Sequence, residues 1–81
     1  MTKKDTIKQL YGILLDNCKF YKKKNMNSYL LNEIGALRAV AYILEFYYNV
    51  NIVDDNSFCQ MVHLQNELLK NWQQQYFIIK I

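Results

Sequence analysis

Between Ile34 and Tyr48 the chain runs for fifteen residues with only two charges, Arg38 and Glu45. Small residues (Gly35, Ala36, Ala39, Ala41) alternate there with Leu37, Val40, Tyr42, Ile43, Leu44, Phe46 and Tyr47. Wound into a helix, this segment is apolar nearly all round, so it must be covered on several sides. A chain of 81 residues has little else to cover it. That mismatch constrains the fold most, and it predicts association with a further surface.

The rest of the composition agrees. A single domain of this length buries only about 60–65% of its unfolded surface and is marginal alone. Yet 52% of its residues are hydrophobic, without counting glycine. Ordinary domains hold about 45–50% with glycine included. Seven Tyr, four Phe and one Trp add side chains favoured where one edge is buried and the other wet. Phe, Tyr, Met, Ile, Asn and Lys make up 40 of the 81 residues, and Lys outnumbers Arg nine to one. This is the mark of AT-rich coding, common in phages and mobile elements and in low-GC chromosomes. No secretory signal pattern is present, because Ile7 to Leu15 is interrupted by Lys8 and Gln9. No stretch reaches the about 18–20 clean apolar residues of a membrane span. A cytoplasmic location is the expectation.

The chain contains no proline and two glycines, which predicts an all-α fold. A first helix over about 5–23 carries the stripe Ile7, Leu10, Tyr11, Leu14, Cys18, Tyr21, widened by Ile13 and Phe20. Thr2 or Asp5 is placed to cap it. Gly12 inside it costs about 1 kcal/mol relative to Ala, for which a close helix crossing is the expected reason. A second helix over about 29–49, capped by Asn27 or Ser28, carries two stripes. One is Leu30, Ile34, Leu37, Ala41, Leu44, Tyr48; the other is Leu31, Ala36, Val40, Ile43, Tyr47. Two stripes imply two neighbours and a central position. A third helix over about 55–75 follows Asp54, Asp55, Asn56 and Ser57, all cap-forming types. It presents Phe58, Met61, Val62, Gln65, Leu68, Leu69, Trp72 and Tyr76. Short connections make successive helices antiparallel, giving one three-helix antiparallel bundle over 1–81, assembled as a homodimer or higher oligomer. The apolar tail 76–81 either extends the third helix or docks on another subunit. Cys18 and Cys59 fall about 10 Å apart in height, beyond the about 7 Å limit for a bridge, so both thiols are expected free.

Little in the sequence carries chemistry. Cys59, His63 and Glu67 recur every fourth residue, but residues on one helix rarely set a nucleophile and base in line with a substrate. Two ligands, Cys59 and His63, do not make a zinc site. Neither catalysis, nor a metal, nor a cofactor is expected. The charge is more informative. Residues 1–24 hold seven Lys and two Asp, net +5, while residues 25–81 are net −2. Lys19, Lys22, Lys23 and Lys24 enclose Phe20 and Tyr21. This cluster either complements the helix dipole or, with Tyr21, holds an anion such as nucleic acid or a nucleotide. Arg38 and Glu45 lie two turns apart on one face. They form either a polar seam or a reciprocal pair across a twofold contact between subunits.

These features predict a non-enzymatic protein-binding module, an inhibitor or regulator of a larger protein and an accessory of a phage or mobile element active in counter-defence. Its partners would be itself and another protein, through Arg38, Glu45, Tyr47, Tyr76, Phe77 and Ile79. The alternatives are an anion binder using Lys19, Tyr21, Lys22, Lys23 and Lys24, and a structural subunit of an assembly.

Overall fold

The computed structural model describes the backbone of residues 1–80 and the side chains of residues 1–71. It contains three helices, α1 (Lys3–Lys23), α2 (Asn27–Tyr48) and α3 (Asn56–Lys80), and no strand among the described residues. Among the described residues no helix is long and apolar enough to cross a membrane.

Helix α1 starts at a complete capping box. The Thr2 hydroxyl accepts from the Asp5 N–H at 3.2 Å, and the Asp5 carboxylate accepts from the Thr2 N–H at 3.3 Å. Hydrogen bonding to Thr2 holds the Asp5 carboxyl below its ordinary range. The helix ends with Asn25 in the left-handed region (φ 56°). The Asn25 N–H donates to the Lys22 carbonyl at 3.2 Å and the Met26 N–H to the Tyr21 carbonyl at 3.0 Å, a Schellman closure with Asn in the glycine role. The turn is so tight that Met26 is the N-cap of α2, with no side-chain cap bond. The expected caps Asn27 and Ser28 are already inside the helix, because the two-bond closure leaves no spare residue. Helix α2 ends at Asn49, also left-handed at φ 56°, where the N–H groups of Asn49 and Val50 converge on the Leu44 carbonyl.

Paired side chains fix the packing. Asn17 donates to Glu33 at 3.0 Å, and Tyr21 stacks on Tyr29, so α1 and α2 run antiparallel. Arg38 donates to Gln65 at 2.8 Å, while Phe58 lines a groove with Ala41 and Glu45, so α3 is antiparallel to α2. The core comprises Tyr11 and Cys18 of α1; Leu30, Ile34, Leu37, Val40, Ala41 and Leu44 of α2; Ile52 of the second junction; and Met61 of α3. Ile7, Leu14, Leu15, Phe58, Leu64 and Leu68 close its margins. Each fully enclosed Leu or Ile contributes about 1.5–3 kcal/mol. No polar side chain is buried among the described residues.

Asp55 is the joint between α3 and the rest. One carboxylate oxygen accepts the Ser57 and Phe58 N–H groups at 3.0 and 3.4 Å, an N-cap. The other accepts the Tyr11 hydroxyl of α1 at 2.7 Å. Burial, followed by this bond, raises the Tyr11 phenol above its ordinary range. Burial also pushes the Cys18 thiol up to about 11, with the Glu33 charge adding to the shift.

The backbone of 76–80 continues α3, one of the two alternatives for this segment. Two expectations are corrected. Gly12 marks no close crossing: a Cβ built there meets nothing within 4 Å. At Gly35 a Cβ would sit 4.0 Å from the Gln65 amide nitrogen, an ordinary contact, so neither glycine is sterically required. The second stripe of α2 is only partly covered, and its last member, Tyr47, is 75% exposed. Three helices of this length enclose one side of α2 and leave the opposite side to solvent.

Candidate functional site

The uncovered side of α2 is the first candidate. Tyr42 and Phe46, one turn apart, stack with ring centroids 4.4 Å apart at 29°. They are 56% and 67% exposed although the same helix carries six core residues on its other side. The pair is therefore an apolar knob on a rigid support. Beside it a groove of about 210 Å³ is lined by Arg38, Ala41, Tyr42, Glu45, Val53 and Phe58. Arg38 is exposed and steadied by Gln65, not buried as an all-round apolar helix would require. Glu45 is half-buried, with no hydrogen bond or ion pair among the described residues. Arg38 and Glu45 thus share the face of Tyr42 but do not pair with each other.

Tyr47 does not join that face. It follows Phe46 and so projects about 100° further round the helix. Tyr42 and Phe46 are the members of this face that sequence reasoning did not assign; their i, i+4 aromatic spacing was the available signal. Tyr76, Phe77 and Ile79 lie outside the residues whose side chains are described.

The second candidate is the corner between α1 and α2. Phe20 meets Tyr21 edge-on at 5.7 Å and 66°, and Tyr21 stacks on Tyr29 at 5.6 Å and 25°. Lys19, Lys22, Lys23 and Lys24 are all exposed, on the last turns of α1 and at its cap. Tyr29 is the member that sequence reasoning did not assign, because it belongs to the next helix.

The third is a shallow apolar groove of about 320 Å³ lined by Val53, Phe58, Cys59, Val62, His63 and Asn66. His63 and Glu67 approach to 3.1 Å across one exposed turn. The Cys59 thiol donates instead to the Val53 carbonyl at 3.2 Å. The helix therefore sets Cys59, His63 and Glu67 in a row without engaging thiol and imidazole. Both cysteines are free, Cys18 buried and Cys59 exposed. Among the described residues no three His, Cys, Asp or Glu side chains cluster to hold a metal ion. No family model, curated protein or solved structure matches this chain.

Proposed function

We propose that this chain is a non-enzymatic protein-binding module, an inhibitor or regulator that works by covering part of a larger protein, and that it also associates with itself. The observation that carries this reading is the Tyr42–Phe46 knob, left open to solvent on the helix that forms most of the core. Aromatic side chains on a rigid support are the usual anchors of protein interfaces, because they bury much area for little lost entropy. Apolar exposure of this kind on a small chain is otherwise an aggregation hazard. Arg38 and Glu45 flank the knob with opposite charges, so the face is complementary to itself under a twofold axis near Tyr42. Ala39, small and exposed, adds no bulk against the partner's rings.

The test is the mass in solution across a dilution series, by light scattering, for the native chain and for Tyr42→Ser with Phe46→Ser. The native chain should hold two or more copies into the low micromolar range, and the double variant should be monomeric with its helix content intact. Exchanging the charges, Arg38→Glu with Glu45→Arg, should preserve the oligomer, while either change alone should weaken it. A native chain that is monomeric throughout removes self-association and leaves the knob to a different protein. An oligomer indifferent to Tyr42 and Phe46 rejects this face altogether.

A further inference from the structure

At the α1–α2 corner an open aromatic stack lies beside the lysine-rich end of α1. Lysines at the end of a helix ordinarily serve its unpaired carbonyls and its dipole. Here the carbonyls of Phe20, Tyr21 and Lys22 already accept the backbone N–H groups of Lys24, Met26 and Asn25. None of the four lysines has a carboxylate within ion-pair distance among the described residues, where His63–Glu67 is the one such pair. The dipole acts over the last turn only, where Lys22 and Lys23 sit, and leaves Lys19 unexplained. The nearest carboxylates in sequence are Asp16, a turn before Phe20, and Glu33, a turn after Tyr29 and bonded to Asn17.

Lys19, Lys22 and Lys23, at spacings of three and four, share one face of the helix end, and Lys24 lies one turn beyond Phe20. A helix is only about 10–12 Å across, close to one Debye length at physiological salt, so all four ammoniums act on an anion lying over the corner. Between them Phe20 and Tyr29 keep 52% and 58% of their surface exposed at the two ends of the stack. Asn25, Asn27 and Ser28 add exposed amide and hydroxyl groups at the turn.

We propose that this corner binds single-stranded nucleic acid, with bases stacked on Phe20 and Tyr29 and phosphates neutralised by Lys19, Lys22, Lys23 and Lys24. Positive charge combined with exposed rings is what single strands require. A simple anion needs only the charge, and the rings would then be left in water. Duplex fits poorly, because the corner is a blunt turn and not a helix laid along a groove.

The experiment is fluorescence anisotropy with a labelled fifteen-nucleotide oligothymidylate, titrated with the full chain at several salt concentrations. Affinity should fall with salt, the logarithmic slope being about −0.7 for each phosphate neutralised, or about −1.4 to −2.8 for two to four lysines. Lys23→Glu with Lys24→Glu should weaken binding at least about tenfold. Phe20→Leu keeps an apolar side chain but removes the ring, and should weaken it about fivefold or more, the loss of one stacked base. Circular dichroism of each variant should be unchanged, since all three positions are exposed. The proposal is overturned by no binding at 50 mM salt, by equal affinity for duplex, or by displacement with polyphosphate as effective as with the unlabelled strand. Binding that responds to the lysines but not to Phe20→Leu also overturns it. That outcome would make the corner a charge patch suited to an acidic protein surface.

Discussion

Helix α2 meets its two neighbours on different terms. Of the ten core residues among those whose side chains are described, eight come from α1 and α2 and one, Met61, from α3. The first pairing runs the length of both helices, from the Tyr21–Tyr29 stack through Asn17–Glu33 to Ile7 near the far end. The second rests on Met61, on the half-buried Phe58, Leu64 and Leu68, and on polar ties from Tyr11 and Arg38. Apolar burial is additive in area, whereas a hydrogen bond exchanged with water nets only about 0.5–1.5 kcal/mol. Among the described residues the α1–α2 hairpin is thus the body of the domain, and α3 is an arm packed on it from Asp55 to Leu68.

The most severe way to break the contrast is Leu37→Ala, at a fully enclosed position of α2. It should cost about 2–5 kcal/mol, enough to unfold much of a domain this small. Urea denaturation followed by circular dichroism reads this directly. A loss confined to α3 would mean that the hairpin is not the body after all.

Asp55→Ala should come next. It removes a cap worth about 0.5–2 kcal/mol and orphans the Tyr11 hydroxyl. Hydrogen exchange should speed up over the first turns of α3 while α1 and α2 keep their protection. Asp55→Asn retains a capping oxygen, and so isolates the Tyr11 part of the effect. Uniform loss of protection across the three helices would erase the distinction between body and arm.

The smallest effect expected has the opposite sign. Gly12→Ala fills empty space on a helix and should stabilise the chain by about 1 kcal/mol, seen as a raised denaturation midpoint. A destabilisation there would reveal a neighbour that the folded monomer lacks.

The architecture was legible in the sequence because apolar spacing at three and four residues reports a helix wherever it occurs. Ile34, Leu37, Ala41 and Leu44 are such a row, and they are the core. The same row cannot say whether a second stripe will find a neighbour, which is why Val40 is buried and Tyr47 is bare. Capping was legible at Thr2 and Asp55, where the side chain bonds its own helix. It was not at Met26, where the closure of α1 dictates the start of α2. Links between helices left no local trace: Tyr11 and Asp55 are 44 residues apart, and each reads alone as an ordinary core tyrosine and an ordinary cap. The basic cluster was visible as a run of lysines, but Tyr29 joins it only through the turn.

The two thiols make the chain its own stopwatch. Cys59 stands in solvent and Cys18 is wholly enclosed, with its proton held more firmly than usual. An alkylating reagent will mark the exposed Cys59 without waiting for the fold to open, and Cys18 only at the rate at which the hairpin parts. The ratio of the two rates, taken from one sample, measures how often the body of the protein opens, with Cys59 as its internal standard.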